Sequence, residues 1–406
     1  MVKRRPRVAV VVPGLDQSGG VVTAARFVID AAEKADRFDL SLYSLAVSSR
    51  DALSFRLRAP TSWTRGVAMA PAFWEGRQVT LVGAPLAEVE VCRYLHRRAL
   101  SQSLRGADVI QVVAGAPSWA FPVTGLGRPV SLHVATRVRE ERHVRDSAAL
   151  SVQTLWRRSM TAAVSRLEGK TLKSVNAVQA MNSWLVEDAR SLNEDRPDVD
   201  IRLAPPGIDT ELFKPGPGPA AARRYILSVG RFDDPRKNVG LLLEAFASIA
   251  AAFPDVDLVT AGASPPPDSF GVAARELGVA DRVTHVDGPT LDELIGLYQR
   301  AEVFALASDE EGFGIVLMEA MSCGVPVVST RSGGPEDLVT DGQDGLLVPK
   351  GDAAALAAGL GSILGDRDRA TSMGRSARKT VEQRYAADVA GQRFLDVWDL
   401  LLAKSN

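Results

Sequence analysis

Short apolar runs rich in Val, Ile and Leu alternate with amphipathic stretches along nearly the whole 406-residue chain. No other feature constrains the fold as much. A repeated change between strand-like runs and a helical period is the pattern of βαβ units wound about a parallel sheet. In the first half it predicts strands over Arg7–Val12, Asp39–Leu45, Gln78–Val82, Asp108–Val113, Pro129–His133, Ala177–Met181 and Ile201–Ala204. It predicts helices over Val21–Ala35 and, in an arginine-rich stretch, about Ser147–Leu172. Residues 46–77 show no period and are left unassigned. The second half is more regular. Strands are expected at Tyr225–Val229, Val256–Thr260, Arg282–Val286, Val303–Ala307, Val325–Ser329 and Leu346–Val348, with helices between them. Helical pattern then runs from about Ala353 to Leu402.

The length predicts two domains. The break falls in a segment holding Pro205, Pro206, Pro215, Pro217 and Pro219. The first domain reads as 1–205, a linker as 206–222 and the second domain as 223–385. A last helix, about 386–403, is expected to pack back on the first domain. The expected class is α/β: two Rossmann-like, doubly wound parallel-sheet domains facing a central cleft. Ligands of such sheets bind at the carboxyl ends of the strands. The strand-to-helix loops are therefore where chemistry is sought.

Composition excludes several classes. The net charge of −1 hides a split, with 29 Lys and Arg against 20 Asp and Glu in residues 1–205, and 19 against 29 in the rest. Either the first half meets something anionic, or the two domains attract each other. Cys92 and Cys323 stand alone, with no metal-ligand spacing around them, which points to a reduced, cytoplasmic setting. The start, MVKRRPRVAVVVPGL, imitates a signal peptide, but its apolar run stops at Pro13-Gly14 and reads as a first strand. No later apolar stretch approaches the roughly 20 residues of a membrane-spanning helix. Nothing suggests a nucleic-acid partner.

The strongest local signal is SDEEGFGIVLMEAMSCGVPVV, residues 308–328. A strand ends at Ser308, and a polar turn carries Glu311. Gly312 and Gly314 flank Phe313, and a helix opens with Ile315 and Val316. Glu319 lies on its second turn. The glycines let backbone N–H groups approach a ligand closely. The helix N-terminus favours an anion such as a diphosphate. A carboxylate accepts through two oxygens and donates nothing, which suits paired sugar hydroxyls.

LSVGRFDDPRKNVGLLLEAFA, residues 227–247, sets Arg231 and Lys237 in a second strand-to-helix loop. Cations there neutralise a diphosphate, and more strongly as it departs and gains charge. Arg236 is an extra cation beside them. Ser332-Gly333-Gly334 before Pro335 makes another glycine-rich helix entry. Gly19-Gly20 opens the first helix. It is not GxGxxG, and no acidic residue suits a ribose at the end of the second strand, so a dinucleotide reading fails. His133, in RPVSLHVATR, ends a strand. Arg93, Arg97 and Arg98 share a helical face, and Arg137, Arg139, Arg157 and Arg158 extend the basic stretch. It reads as a solvated face or as a contact for an anionic lipid or acceptor.

On these residues the chain resembles the retaining GT-B glycosyltransferases of family 4, the glycosyl transferases group 1. The segment from Glu311 to Glu319 matches that family's E-x7-E signature. The resemblance implies that Glu311 meets the donor sugar and Glu319 the ribose. Arg231 and Lys237 match the elements that take the diphosphate. Gly312, Phe313, Gly314, Ile315 and Val316 line the donor, and Gly19-Gly20 borders the acceptor and phosphates. His133 falls near the transferred sugar, and the base rests near Val286 and Gly288. The implied catalytic set is His133, Glu311, Arg231 and Lys237. In PPGIDTELFKP, Pro206 stands where the family has Asn. The resemblance is tight over 225–350, weaker over 1–45 and 105–205, and absent over 46–104, the stretch that shapes the family's acceptor site.

The expected activity is hexosyl transfer with retention from a UDP- or GDP-type nucleotide-sugar donor to an acceptor hydroxyl, without a metal or a resident cofactor. The acceptor is a small molecule, a glycan or a lipid-linked group. The expected place is the cytoplasm, with peripheral contact at the inner membrane face through the basic first domain. Two alternatives share the architecture: an NDP-sugar epimerase and an inactive sugar-nucleotide-binding subunit. A nicotinamide dehydrogenase ranks below them, since no GxGxxG follows a strand.

Overall fold

The computed structural model describes residues 4–15, 19–146, 152–216 and 223–405. The chain divides into two compact units. One comprises Met1–Pro206 with Ala390–Asn406, the other Gly207–Val389.

The first unit holds eight strands: β1 (Arg7–Pro13), β2 (Asp39–Leu45), β3 (Met69–Trp74), β4 (Arg77–Val82), β5 (Val109–Ala114), β6 (Val130–Val134), β7 (Ala177–Ala180) and β8 (Asp200–Leu203). Their order is β3-β4-β2-β1-β5-β6-β7-β8. All pairs are parallel except β3 with β4. The central strands β1 and β5 are buried almost end to end, because helices and loops cover both faces of the sheet. Such strands show continuous apolar runs rather than alternation, which made them legible in the sequence.

The segment left unassigned contains β3, which forms a hairpin with β4. Its two turn residues, Glu75 and Gly76, both have positive φ, 50° and 78°. That is the geometry of a tight hairpin turn, usually marked by Asn-Gly or Asp-Gly. Glu in the first position hid the signal. Arg26 Nε donates to Glu75 at 2.9 Å, and Arg26 and Arg77 flank the Trp74 ring at 5.7 and 5.6 Å. The arginine-rich stretch is two helices, Val138–Asp146 and Val152–Leu172. Residues 147–151, where one helix was expected to begin, lie outside the described residues.

The helix Ala387–Ser405 supplies Phe394, Leu395, Val397, Trp398 and Leu401 to the core of the first unit, beside Val8, Val10, Val28 and Ile29. Trp398 is fully buried, and its indole N–H donates to Gln111 Oε1 at 2.7 Å. Phe38 meets the same ring edge-on at 5.1 Å.

The second unit is one parallel sheet of β9 (Arg224–Arg231), β10 (Val256–Ser264), β11 (Val283–Asp287), β12 (Val303–Leu306), β13 (Val327–Thr330) and β14 (Leu346–Val348). The order is β11-β10-β9-β12-β13-β14. The chain order reverses about β9 and β12, and a topological switch of that kind opens a crevice at the strand carboxyl ends. The described part of the expected linker packs on this unit. Ile208 N donates to Tyr385 O at 2.8 Å, and Ser322 Oγ to Phe213 O at 2.6 Å. Residues 207–216 therefore belong to the second unit, since their backbone groups and Phe213 are bound there. Residues 217–222 of the expected linker lie outside the described residues.

Trp398→Ala removes the largest apolar group from the first unit's core and leaves Gln111 without its donor. It is expected to cost about 3–5 kcal/mol. Urea unfolding of parent and variant checks this, and an unchanged midpoint would contradict the role given to the last helix.

Candidate functional site

Three loops of the second unit meet at Glu311. The first follows β9. Its last strand residue is Arg231, followed by a short turn of 3-10 helix, Pro235–Lys237. Asn238 then adopts a left-handed conformation, φ 44°, and caps the helix Val239–Ile249 by accepting from Leu241 N at 3.3 Å. The cap fixes where Lys237 leaves the backbone. The second loop follows β12 and carries Ser308 to Gly314. The third follows β13 and carries Ser332, Gly333 and Gly334.

Hydrogen bonds stitch the three together. Asp309 N donates to Arg236 O at 2.8 Å, and Asn238 Nδ2 to Asp309 Oδ1 at 3.0 Å. Glu311 N donates to Ser332 O at 2.9 Å, while Gly334 N donates to Glu311 O at 2.8 Å. The side chain of Glu311 then accepts from Lys237 Nζ at 2.6 Å. Both partners are largely enclosed, with side chains 17% and 15% exposed, so water screens this pair less than an open surface pair.

Arg236, the competing cation of the sequence, is directed elsewhere. Its guanidinium forks onto Asp234, with Nη2 to Oδ2 at 2.7 Å, and approaches Glu310 at 3.7 Å. Burial pushes the Asp234 carboxyl up, but Arg236 more than offsets this and holds it below the ordinary value. Arg231 lies 3.8 Å from Asp234 and keeps a half-exposed side chain. Lys237 is thus the cation of this loop that meets Glu311, while Arg231 stays half-exposed beside Asp234.

Gly314 has φ 93° and stands at the N-cap of the helix Ile315–Ser322. The first-turn N–H groups of Ile315 and Val316 have no helical acceptor of their own. Phe313 was expected to line the donor. Its ring is instead buried at 1% exposure, edge-on to Tyr385 at 5.5 Å, so only its backbone is offered to a ligand. The second glycine-rich helix entry also falls short of the expectation. The helix after Gly334 is a single turn, Pro335–Leu338, and Gly333 N is taken by Glu336 Oε2 at 2.9 Å. The glycine has a packing reason instead. A Cβ on Gly334 would lie 2.2 Å from Phe313 Cα.

Glu319 sits one turn past Ile315 on the same helix face. Its Oε2 accepts from the Tyr298 hydroxyl at 2.6 Å. Burial pushes the carboxyl up to about 7, and the Tyr298 hydroxyl pulls it partly back. Tyr298, on the helix Leu291–Arg300, was not singled out in the sequence because it looks like one more apolar position of an amphipathic helix. Asn238 and Asp309 were missed for a similar reason, since each reads as a turn residue. Val286 and Gly288 lie at the end of β11, where Gly288 N donates to Gly262 O at 2.9 Å. Next to them His285 Nδ1 contacts Thr260 Oγ1 at 3.1 Å.

Three expected residues belong to the first unit. Gly19 and Gly20 start the helix Gly20–Ala35 after β1, with Gly19 at φ 130°. His133 does not end its strand but is the next-to-last residue of β6. It is 1% exposed and stacks edge-on to Phe394 at 5.0 Å. Burial pushes its pKa down to about 4. A neutral imidazole sealed in a core touches no substrate, so the catalytic role expected for His133 is corrected to a core residue. The basic stretch is also partly spent inside the fold. Arg93 and Arg97 do not share a surface helix face, since Arg97 is buried and donates to Arg93 O at 2.6 Å. Arg137 pairs with Glu168 at 3.0 Å and also with Asp188, and Arg142 pairs with Glu90.

The model of the family "Glycosyl transferases group 1" matches residues 209–380, the span that contains Arg231, Lys237, Glu311 and Glu319. Over that span the chain is similar to the glycosyl transferases group 1 family. A GDP-mannose-dependent alpha-(1-6)-phosphatidylinositol monomannoside mannosyltransferase of Mycolicibacterium smegmatis is 32% identical over 217 residues, half of this chain and 56% of that protein. A D-inositol 3-phosphate glycosyltransferase of Mycolicibacterium gilvum is 38% identical over 176 residues, 40% of this chain and 39% of that protein. The matches span about half the length of these group 1 relatives, or less. Among solved structures, sucrose-phosphate synthase from Thermosynechococcus elongatus aligns with a TM-score of 0.69 at 21% identity, covering 98% of this chain and all of that one. WaaG, a glycosyltransferase of lipopolysaccharide biosynthesis, aligns at 0.67 and 18% identity, covering 96% and 99%. The fold is GT-B.

The Glu319 carboxyl, set against Tyr298, makes folding depend on pH. Its carboxyl titrates near 7 in the folded protein against an ordinary 4.5. Between those values the folded protein holds a proton that the unfolded chain has lost, so stability falls as pH rises through that window. Glu319→Gln removes this dependence. It is expected to stabilise the ligand-free protein by up to about 3 kcal/mol at pH 8 and to change little at pH 4. Urea unfolding at both pH values decides, and an equal effect at the two would refute the assignment. Gly334→Ala is expected to lower the thermal midpoint by pushing the Phe313 backbone away.

Proposed function

We propose that the chain is a retaining, metal-independent glycosyltransferase that moves a hexose from a nucleoside-diphosphate sugar to an acceptor hydroxyl. One observation carries this reading. Lys237, Glu311 and the open first turn of the helix at Ile315 are gathered by three strand-to-helix loops, with Glu319 one turn further on. A cation and free N–H groups suit a diphosphate, and two carboxylates suit the sugars at its ends.

In the ligand-free site the ammonium of Lys237 is neutralised by Glu311. A diphosphate takes over that ammonium, with Arg231 and the N–H groups of Ile315 and Val316. Glu311 is then released to accept from hydroxyls of the donor sugar, and Glu319 from the ribose. The acceptor oxygen attacks the anomeric carbon on the face of the departing phosphate. The bond from that carbon to the phosphate oxygen breaks, and the phosphate oxygen takes the acceptor's proton. This gives retention without a carboxylate nucleophile. Lys237 and Arg231 stabilise the charge that grows on the leaving diphosphate, the work a metal does elsewhere.

Two relatives' names point to donors of this kind. The mannosyltransferase is GDP-mannose-dependent by name, and a structure of HepE from Anabaena, 17% identical, contains UDP. The proposal includes a cytoplasmic setting. It also includes contact between the first unit and an anionic membrane surface, where Leu155 and Trp156 are exposed beside Arg157 and Arg158. No helix of the described residues is long and apolar enough to cross a membrane.

Thermal shifts with UDP, GDP, ADP, TDP and their sugars test the donor site. A bound nucleotide at 100 times its Kd is expected to add about 2.7 kcal/mol. Lys237→Met is expected to abolish the shift. Glu311→Gln is expected to keep or enlarge the shift with NDP, since it frees Lys237, while cutting transfer by roughly 100-fold or more. A Lys237→Met protein that responds like the parent would overturn the assignment.

A further inference from the structure

Tyr298 is fully buried on the helix Leu291–Arg300, tilted against Phe304 at 5.8 Å and edge-on to Phe213 at 6.3 Å. These rings fix its rotamer. Its one polar atom is spent on Glu319 Oε2 at 2.6 Å, and a buried phenol seldom goes without a partner. Glu319 is only partly covered, and its Oε1 has no hydrogen-bond partner among the described residues. The carboxylate is therefore anchored at one oxygen and open at the other. A carboxylate held this way cannot swing to suit a ligand lacking one of its hydroxyls, because turning would break the Tyr298 bond and leave the phenol unpaired.

We propose that Tyr298 is a positioning residue that locks Glu319 to read a ribose diol, so that the site selects ribonucleoside-diphosphate sugars and rejects 2′-deoxyribonucleotide donors such as TDP-sugars. This rests on the donor-site reading above. Glu319 supplies the acceptor atoms, and Tyr298 supplies their direction. A 2′-deoxy donor leaves part of a charged acceptor unsatisfied in a site built to be filled. Hydrogen bonds to charged groups of this kind are worth about 10–100-fold in affinity.

The test is calorimetric binding of matched pairs, UDP with dUDP, GDP with dGDP and ADP with dADP, to parent and variants. The parent is expected to prefer the ribonucleotide by about 10–100-fold for whichever base it binds. Tyr298→Phe, which keeps the ring and removes the oxygen, is expected to lower that ratio several-fold. A purely structural role would weaken both members of a pair equally and leave the ratio intact, and that outcome overturns the proposal. Glu319→Asp provides a second variant should Tyr298→Phe fail to fold. It draws the carboxylate one methylene away from the hydroxyl and is expected to lower the ratio in the same way, whereas an unchanged ratio overturns the proposal. A parent that binds a nucleoside diphosphate but ignores the 2′-hydroxyl refutes this inference alone. A parent that binds no nucleoside diphosphate refutes the donor site as well.

Discussion

The ion pair between Lys237 and Glu311 holds the second unit's functional end together. Its 2.6 Å contact joins the loop after β9 to the loop after β12, and the backbone of Glu311 joins both to the loop after β13. Glu311 is where the cation, the glycine turn and the third loop meet, beside the bonds of Asp309 to Arg236 and Asn238. The pair also solves an electrostatic problem. A lysine kept ready for an anion in a partly enclosed site needs a counter-ion while the site is empty, since an unpaired charge there is costly. Glu311 is that counter-ion, and in the proposed function it accepts from the donor sugar once an anion replaces it.

Around this pair the fold supplies rigidity. The Gly334 backbone passes so close to Phe313 that no side chain fits between them. Phe313 is locked against Tyr385, and Tyr298 is locked among Phe213 and Phe304. The turn beside Gly314 and the partner of Glu319 therefore rest on packed aromatic residues. Holding charges and hydrogen-bond acceptors in place before the ligand arrives is how such sites lower a barrier.

Much of this was legible in the sequence because both signals are local. Continuous apolar runs marked β1, β5, β9 and β12, and the spacing of Glu311, Gly314 and Glu319 marked a loop leading into a helix. What stayed hidden depended on distant partners. The β3–β4 hairpin turns on Glu75-Gly76, whose first residue tolerates positive φ beside Arg26. Tyr298 gains its role only because its helix lies against the helix bearing Glu319. His133 was read as ending its strand near the transferred sugar, whereas the last helix covers it with Phe394. In each case the deciding contact joins residues far apart in the chain, which no pattern of spacing records.

The most direct test is a crystal structure with a nucleoside-diphosphate sugar bound. The diphosphate should lie within hydrogen-bond reach of Lys237 Nζ and the N–H groups of Ile315 and Val316, about 2.7–3.2 Å. Lys237 and Glu311 should have parted beyond about 4 Å, with Glu311 turned to the sugar. A nucleotide bound elsewhere, or one bound here with the Lys237–Glu311 pair still closed, would contradict the exchange of partners on which the proposed chemistry rests.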